Sequence, residues 1–310
     1  MTAARCTDDH KNETQFRGRG FTLDLMAQHQ SLLEFKQGRY LKVALLLCAA
    51  AIGAYWYHEV PTAYVRPYGG TWLGYTLGTI AGLLILWLML LGIRKRRYAS
   101  RLGSVQGWAS AHVYLGTSLI VIATLHCAFE FGWNIHTLAY VLMMLVIVSG
   151  FFGVYAYLRY PELMTANLGG ETLETMLLKV SDLETKCKRI ALDLPDEVNA
   201  LFMNASRLAA ERTALRGSLR RQLSGVDASH PMRVARDRLL QMGKRYSGEQ
   251  AKFQEQLVVE MSRIVALTDR IRRDLQLRAV MQVWLYFHVP LSFALVTALI
   301  AHVISVFYFW

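Results

Sequence analysis

Charge is scarce in this chain. Asp, Glu, Lys and Arg make up 18% of its 310 residues, against about 25% in an ordinary soluble domain. Paired cysteines are missing too. Cys6, Cys48, Cys127 and Cys187 are scattered and no CxxC occurs, which excludes the usual iron–sulfur and zinc spacings and covalent c-type haem attachment, and makes a disulfide framework unexpected. No Gly-rich phosphate loop is visible in the polar stretch 159–280. The first 40 residues contain no apolar core of the kind a cleaved signal peptide needs. What the chain has in place of these is apolar length. Hydrophobic residues reach 54%, and several runs approach the roughly 20 residues that cross a bilayer. The net charge of +11 resembles that of a nucleic-acid binder. Much of the excess lies beside apolar runs, where membrane topology explains it, so no nucleic-acid partner is expected.

Five spans are predicted, at residues 41–57, 72–93, 108–130, 137–158 and 281–310. Each must be a helix, because a segment in hydrocarbon has to satisfy its own backbone hydrogen bonds. The expected fold class is all-α: a five-span integral membrane helix bundle with a cytoplasmic helical hairpin inserted between spans four and five. Arg94, Lys95, Arg96, Arg97 and Arg101 lie between spans two and three with no acidic residue among them. That loop should face the cytoplasm. The N-terminus is then cytoplasmic, the C-terminus outside, and the expected location is a bacterial inner membrane. Residues 1–40 form a cytoplasmic segment. Within it, Phe21, Leu25, Leu32 and Phe35 suit one face of an interfacial helix, with a solvated tail as the alternative.

Residues 159–280 form the expected cytoplasmic insert. Leu173, Met176, Val180, Leu183, Cys187, Ile190 and Leu194 recur at steps of three or four. Pro195 suits the start of a new helix, and 225–231 reads as a loop. Ser247 to Gln250 is a capping box opening a helix striped with Leu257, Met261, Ile264, Leu267, Ile271 and Leu275, which can run on into span five. Two stripes suggest an antiparallel coiled-coil hairpin. A spacer or dimerisation element is the plainer role.

Four of the nine histidines form a pattern. His112 and His126 lie on span three, His288 and His302 on span five, each pair with thirteen residues between, and Trp108 and Trp284 precede each pair by four. Fourteen residues are within about 40° of four full turns and rise about 21 Å. Both histidines of a span therefore share a face. Spans three and five run in the same direction, so His112 pairs in depth with His288, and His126 with His302. Haem iron accepts an imidazole on each side of its ring, and such a ladder suits two b-type haems. A zinc or structural histidine cluster is the alternative, but zinc needs its ligands around one ion, which residues about 21 Å apart on each helix do not offer. Gly116, Leu119, Ala123, Ser292, Leu295 and Leu299 lie between the histidines on the same faces. Gly74, Gly78 and Gly82 on span two suit either close helix packing or a cofactor groove.

This pattern resembles the di-haem membrane b-type cytochromes, including the cytochrome b of quinol oxidoreductases and the ferric reductase/NADPH oxidase membrane domain. The resemblance covers spans two to five and implies electron transfer between redox proteins on the cytoplasmic and outer sides, or exchange with a quinone pool. It departs in the long insert and in the lack of a sixth span and of a flavin or nicotinamide domain, so electrons are expected to pass to or from another molecule. A quinone-reactive anchor subunit and a non-redox scaffold acting through the insert are the rival classes.

The other candidates are weaker. Arg94 and Arg97 are explained by topology first and by neutralising the propionates of an inner haem second; Arg66 has the same second role outside. His58 and His136 fall at the outer rim, where contact with a propionate or quinone competes with a plain interfacial position. His10, His29 and His230 are expected to be solvated. Pro290 should kink span five near His288. Glu130 is the sole acidic residue in a span, at its rim, which argues against a proton or ion pathway.

Overall fold

The structure is a computed structural model, described for residues 37–58, 69–96, 103–214, 223, 230–242 and 247–309. The expected helix at 21–35, and Arg66, Arg97 and Arg101, lie outside the described residues. The described residues are helical, with no strand among them. The helices are α1 (Arg39–Tyr57), α2 (Trp72–Arg96), α3 (Val105–His126), α4 (Ile135–Leu168), α5 (Leu173–Leu192), α6 (Asp196–Ala214), α7 (Pro231–Met242) and α8 (Glu249–Phe309). Five of them, α1 to α4 and α8, are long and apolar enough to cross a membrane. Their apolar side chains also point outward, as at Leu46, Leu83 and Phe293, which suits hydrocarbon rather than water as the surrounding solvent.

The helix ends follow from local chemistry. Ser104 accepts from the Gly107 N–H at 3.1 Å and starts α3. Thr71 does the same for Gly74 at α2. Asn134 Oδ1 accepts from Thr137 N–H at 2.9 Å and starts α4. Thr172 and Thr175 form a reciprocal cap on α5. Pro195 precedes α6, and Pro231 is the first residue of α7. The long helices continue through Pro161 and Pro290.

The chain divides into two compact units. The first comprises Met1–Val154 with His288–Trp310, the second Tyr155–Phe287. In the first, α3 packs along both α1 and α2. Leu73, Leu77, Ala81, Ile85 and Leu88 of α2 meet Ala111, Leu115, Leu119 and Ile122 of α3, with Met143 of α4 and Leu295 of α8 in the same core. α3 ends at His126, four residues short of the predicted span. Ala128 and Phe129 follow with φ of 50° and 63°, two successive left-handed residues without glycine, at roughly 1 kcal/mol or more each. They reverse the chain within eight residues.

In the second unit the two predicted stripes exist on α5 and α8, but they do not form a hairpin by themselves. Cys187 and Ala191 of α5 share one core with Val198 and Phe202 of α6, Met232 and Leu239 of α7, and Leu257, Met261 and Ile264 of α8. Four helices thus supply the core where two were expected. The physical reason is width: α6 and α7 carry apolar faces that would otherwise face water. His230, expected to be solvated, is 7% exposed at the start of α7, where its carbonyl accepts from Arg233 and Val234. Glu260 is buried and paired with Lys186 at 2.6 Å and Arg263 at 3.1 Å. The Lys186 hydrogen bond, with Arg263 beside it, outweighs burial and holds its carboxyl below the usual range. Burial pushes the Cys187 thiol up to about 12.

Candidate functional site

Two of the histidines meet at one level. His112, on α3, and His288, on α8, line a common cavity of about 90 Å³ together with Gly116, Gly150 and Ser292. His112 Nδ1 lies 3.1 Å from the carbonyl oxygen of Leu88. A carbonyl only accepts, so Nδ1 carries the hydrogen and Nε2 keeps the lone pair. His288 Nδ1 lies 2.6 Å from Ser149 Oγ. The Ser149 hydroxyl also has the Val146 carbonyl as an acceptor at 3.0 Å; when it donates there, its oxygen accepts from His288 Nδ1–H. In that arrangement both imidazoles hold the same tautomer. That is the second-shell pattern of metal-ligating histidines, in which the other ring nitrogen donates to a fixed acceptor.

The surroundings of this level are slender and apolar. Gly150 stands in ordinary contact with the His288 ring, and Gly116 with Leu88. Met89 and Met143 belong to the cavity wall; unbranched thioethers of this kind re-pack at low cost. Trp108, one turn before His112, stacks on Trp87 with ring centroids 4.9 Å apart and planes 14° from parallel. Arg94, a candidate partner for a propionate, is buried and donates from Nη2 to the Gly103 carbonyl at 2.5 Å. It ties the end of α2 to Gly103, two residues before α3, a structural use of its charge.

The second level holds three imidazoles. His126, the last residue of α3, and His302, on α8, have ring centroids 6.2 Å apart. His136, in the first turn of α4, lies 5.1 Å from His126 and 4.7 Å from His302. Ligand nitrogens of the three lie within 4.8 Å of one another. His126 Nδ1 is 2.8 Å from the Gly74 carbonyl, which fixes it as a donor by the same reasoning as for His112. A Cβ on Gly78 would stand 2.6 Å from the His126 ring, and one on Gly74 would stand 2.4 Å from the backbone of Gly69. The predicted glycine stripe therefore seats an imidazole and a loop, whereas Gly82 makes only ordinary contact with Leu299. His136 Nε2 is 3.0 Å from Cys127 Sγ.

The two levels differ in what they admit. At the first, two imidazoles border a shared apolar slot, a donor set of the chemistry that haem iron accepts. At the second, His136 is nearly equidistant from His126 and His302 and nearer to each than they are to one another. It therefore stands in the plane that bisects the pair, which is the plane a porphyrin between them has to occupy. As arranged here, His126, His136 and His302 do not fit a haem. Sequence reasoning left His136 at the rim because nothing marks Ala128 and Phe129 as a reversing turn. Ser149 was missed because its partner is 139 residues away; the one available signal was a lone hydroxyl in an apolar run. No protein-family model, curated protein or solved structure matches this chain.

Proposed function

We propose that this chain is a membrane b-type cytochrome that passes electrons across the bilayer between redox partners. The observation that carries this is the matched pair of His112 and His288, each with Nδ1 hydrogen-bonded to a fixed oxygen and each bordering the same cavity. Intramembrane histidines are costly and functional by default, and a histidine tautomer locked in this way is what iron ligation requires. A bound haem supplies a reversible one-electron couple. The chain's own residues do the rest. His112 and His288 offer Nε2 lone pairs from opposite helices. Leu88 and Ser149 orient them, and the apolar wall excludes water.

The orientation that goes with this function follows from the basic loop after α2, which belongs on the cytoplasmic side. Residues 159–280 are then cytoplasmic as well, on the side of a bacterial inner membrane where a donor or acceptor protein would meet them. In the two-haem form of this function a second ring lies between His126 and His302, which needs His136 out of the bisecting plane. Electron transfer in this reading rests on His112 and His288 alone.

The test is the full-length chain, purified in detergent after expression with haem available, assayed for haem per protein and for a reduced-minus-oxidised spectrum. At least one non-covalent b-type haem per chain with a low-spin, bis-imidazole spectrum is expected. A colourless, folded protein would overturn the proposal.

A further inference from the structure

The three imidazoles at the second level are not used by the electron transfer that rests on His112 and His288, and their geometry as it stands suits a different ligand. We infer that His126, His136 and His302 form a binding site for a single borderline-soft transition-metal ion of the zinc or copper class. The donors are already assembled: one nitrogen from each ring, all within 4.8 Å of one another. Around a tetrahedral ion with Zn–N bonds near 2.0–2.1 Å the nitrogens sit about 3.3 Å apart. Closing on an ion thus takes a shift of about 1–2 Å, within what half-buried side chains manage by rotation about χ1 and χ2.

The three residues are not equally free to make that shift. His126 is anchored, since Gly74 accepts from its Nδ1 at 2.8 Å and Gly78 leaves room for its ring. Its Nε2 is the coordinating nitrogen, and carbonyl–histidine–metal is a standard second-shell arrangement. His136 and His302 are half-buried and close onto it. The group contains no carboxylate. Purely imidazole donors favour zinc, copper or nickel over magnesium, calcium or manganese.

Chain economy points the same way. Two consecutive left-handed residues, Ala128 and Phe129, and an Asn134 cap return His136 to His126 across only nine intervening residues. A merely interfacial histidine needs no such strained return.

The experiment uses the full-length chain in detergent, free of any polyhistidine tag, stripped with a chelator and dialysed against Zn²⁺. Zinc per chain is measured by elemental analysis, and haem per chain on the same sample. About one zinc per wild-type chain is expected. His136→Ala and His302→Ala should each weaken zinc binding at least tenfold, and His136→Cys should restore it, with haem content unchanged in His136→Ala and His136→Cys. A wild-type chain that binds no more zinc than the His126→Ala/His136→Ala/His302→Ala variant overturns the inference, as does a second haem per chain that is lost on mutating His126 or His302. Zinc binding by a haem-free protein would sink the cytochrome proposal and leave this site standing; one haem without zinc would do the reverse.

Discussion

At the residue scale, the account turns on acceptors that orient imidazoles. Ser149 touches His288 Nδ1 at 2.6 Å. Ser149→Ala should leave the protein folded and weaken haem binding roughly 10–100-fold, the usual cost of losing such a partner, measured by titrating haem into the apoprotein. It should also raise the midpoint potential, because an imidazole that no longer donates is a poorer electron donor to ferric iron. Full affinity and an unmoved potential would remove Ser149 from the site. Glycines give a sharper contrast. Gly78→Ala drives a methyl to 2.6 Å from the His126 ring, whereas Gly150→Ala meets the His288 ring at an ordinary 3.8 Å. The first should disrupt the His126 level and the second leave both levels intact, as read by zinc and haem content. The fourteen-residue spacing of the histidines was legible because it nearly completes four turns. The carbonyls of Leu88 and Gly74 were not, since any residue provides one and only the packing of α2 on α3 selects which.

At the element scale, the long apolar helices were legible, as were the end of α1 at Tyr57 and the start of α2 at Trp72, but the end of α3 was not. Span three was expected to reach residue 130, but a turn with non-glycine residues at positive φ ends α3 at His126. α6 and α7 joined the insert's core unannounced because their small residues, Ala205 and Ala235 among them, dilute the periodic signal that Leu and Ile give α5 and α8. One ion cluster in that core sets a pH dependence. Glu260 is held below its usual range, first by the hydrogen bond from Lys186, with Arg263 also contributing. A carboxylate depressed in the folded state contributes stability above its unfolded value, about 4.3. That contribution is lost as pH falls through the lower folded value. Thermal melts between about pH 3 and 6 should therefore show a steeper acid loss in the wild type than in Glu260→Gln. Parallel curves would mean the pair is too well screened to matter.

At the scale of the whole molecule, the five long apolar helices among the described residues and the basic residues that close α2 go with the orientation proposed above. The turn at Trp133, fully exposed, should face outward, and Lys179 in the second unit should face the cytoplasm. In a cysteine-free background, Trp133→Cys should react with a membrane-impermeant maleimide in intact cells, and Lys179→Cys only after permeabilisation. Reversed labelling would invert the orientation while leaving the histidine levels untouched.

The most direct measurement of the central claim compares haem per protein and the reduced-minus-oxidised spectrum for His112→Ala, His288→Ala and the double variant, all full-length and purified in detergent. Two ligands of one iron act as a unit, so either single change should remove the same spectral component, and the double variant should lose little more than either. Full haem content in both single variants, or the loss of spectrally different haems, would contradict the pairing of His112 with His288.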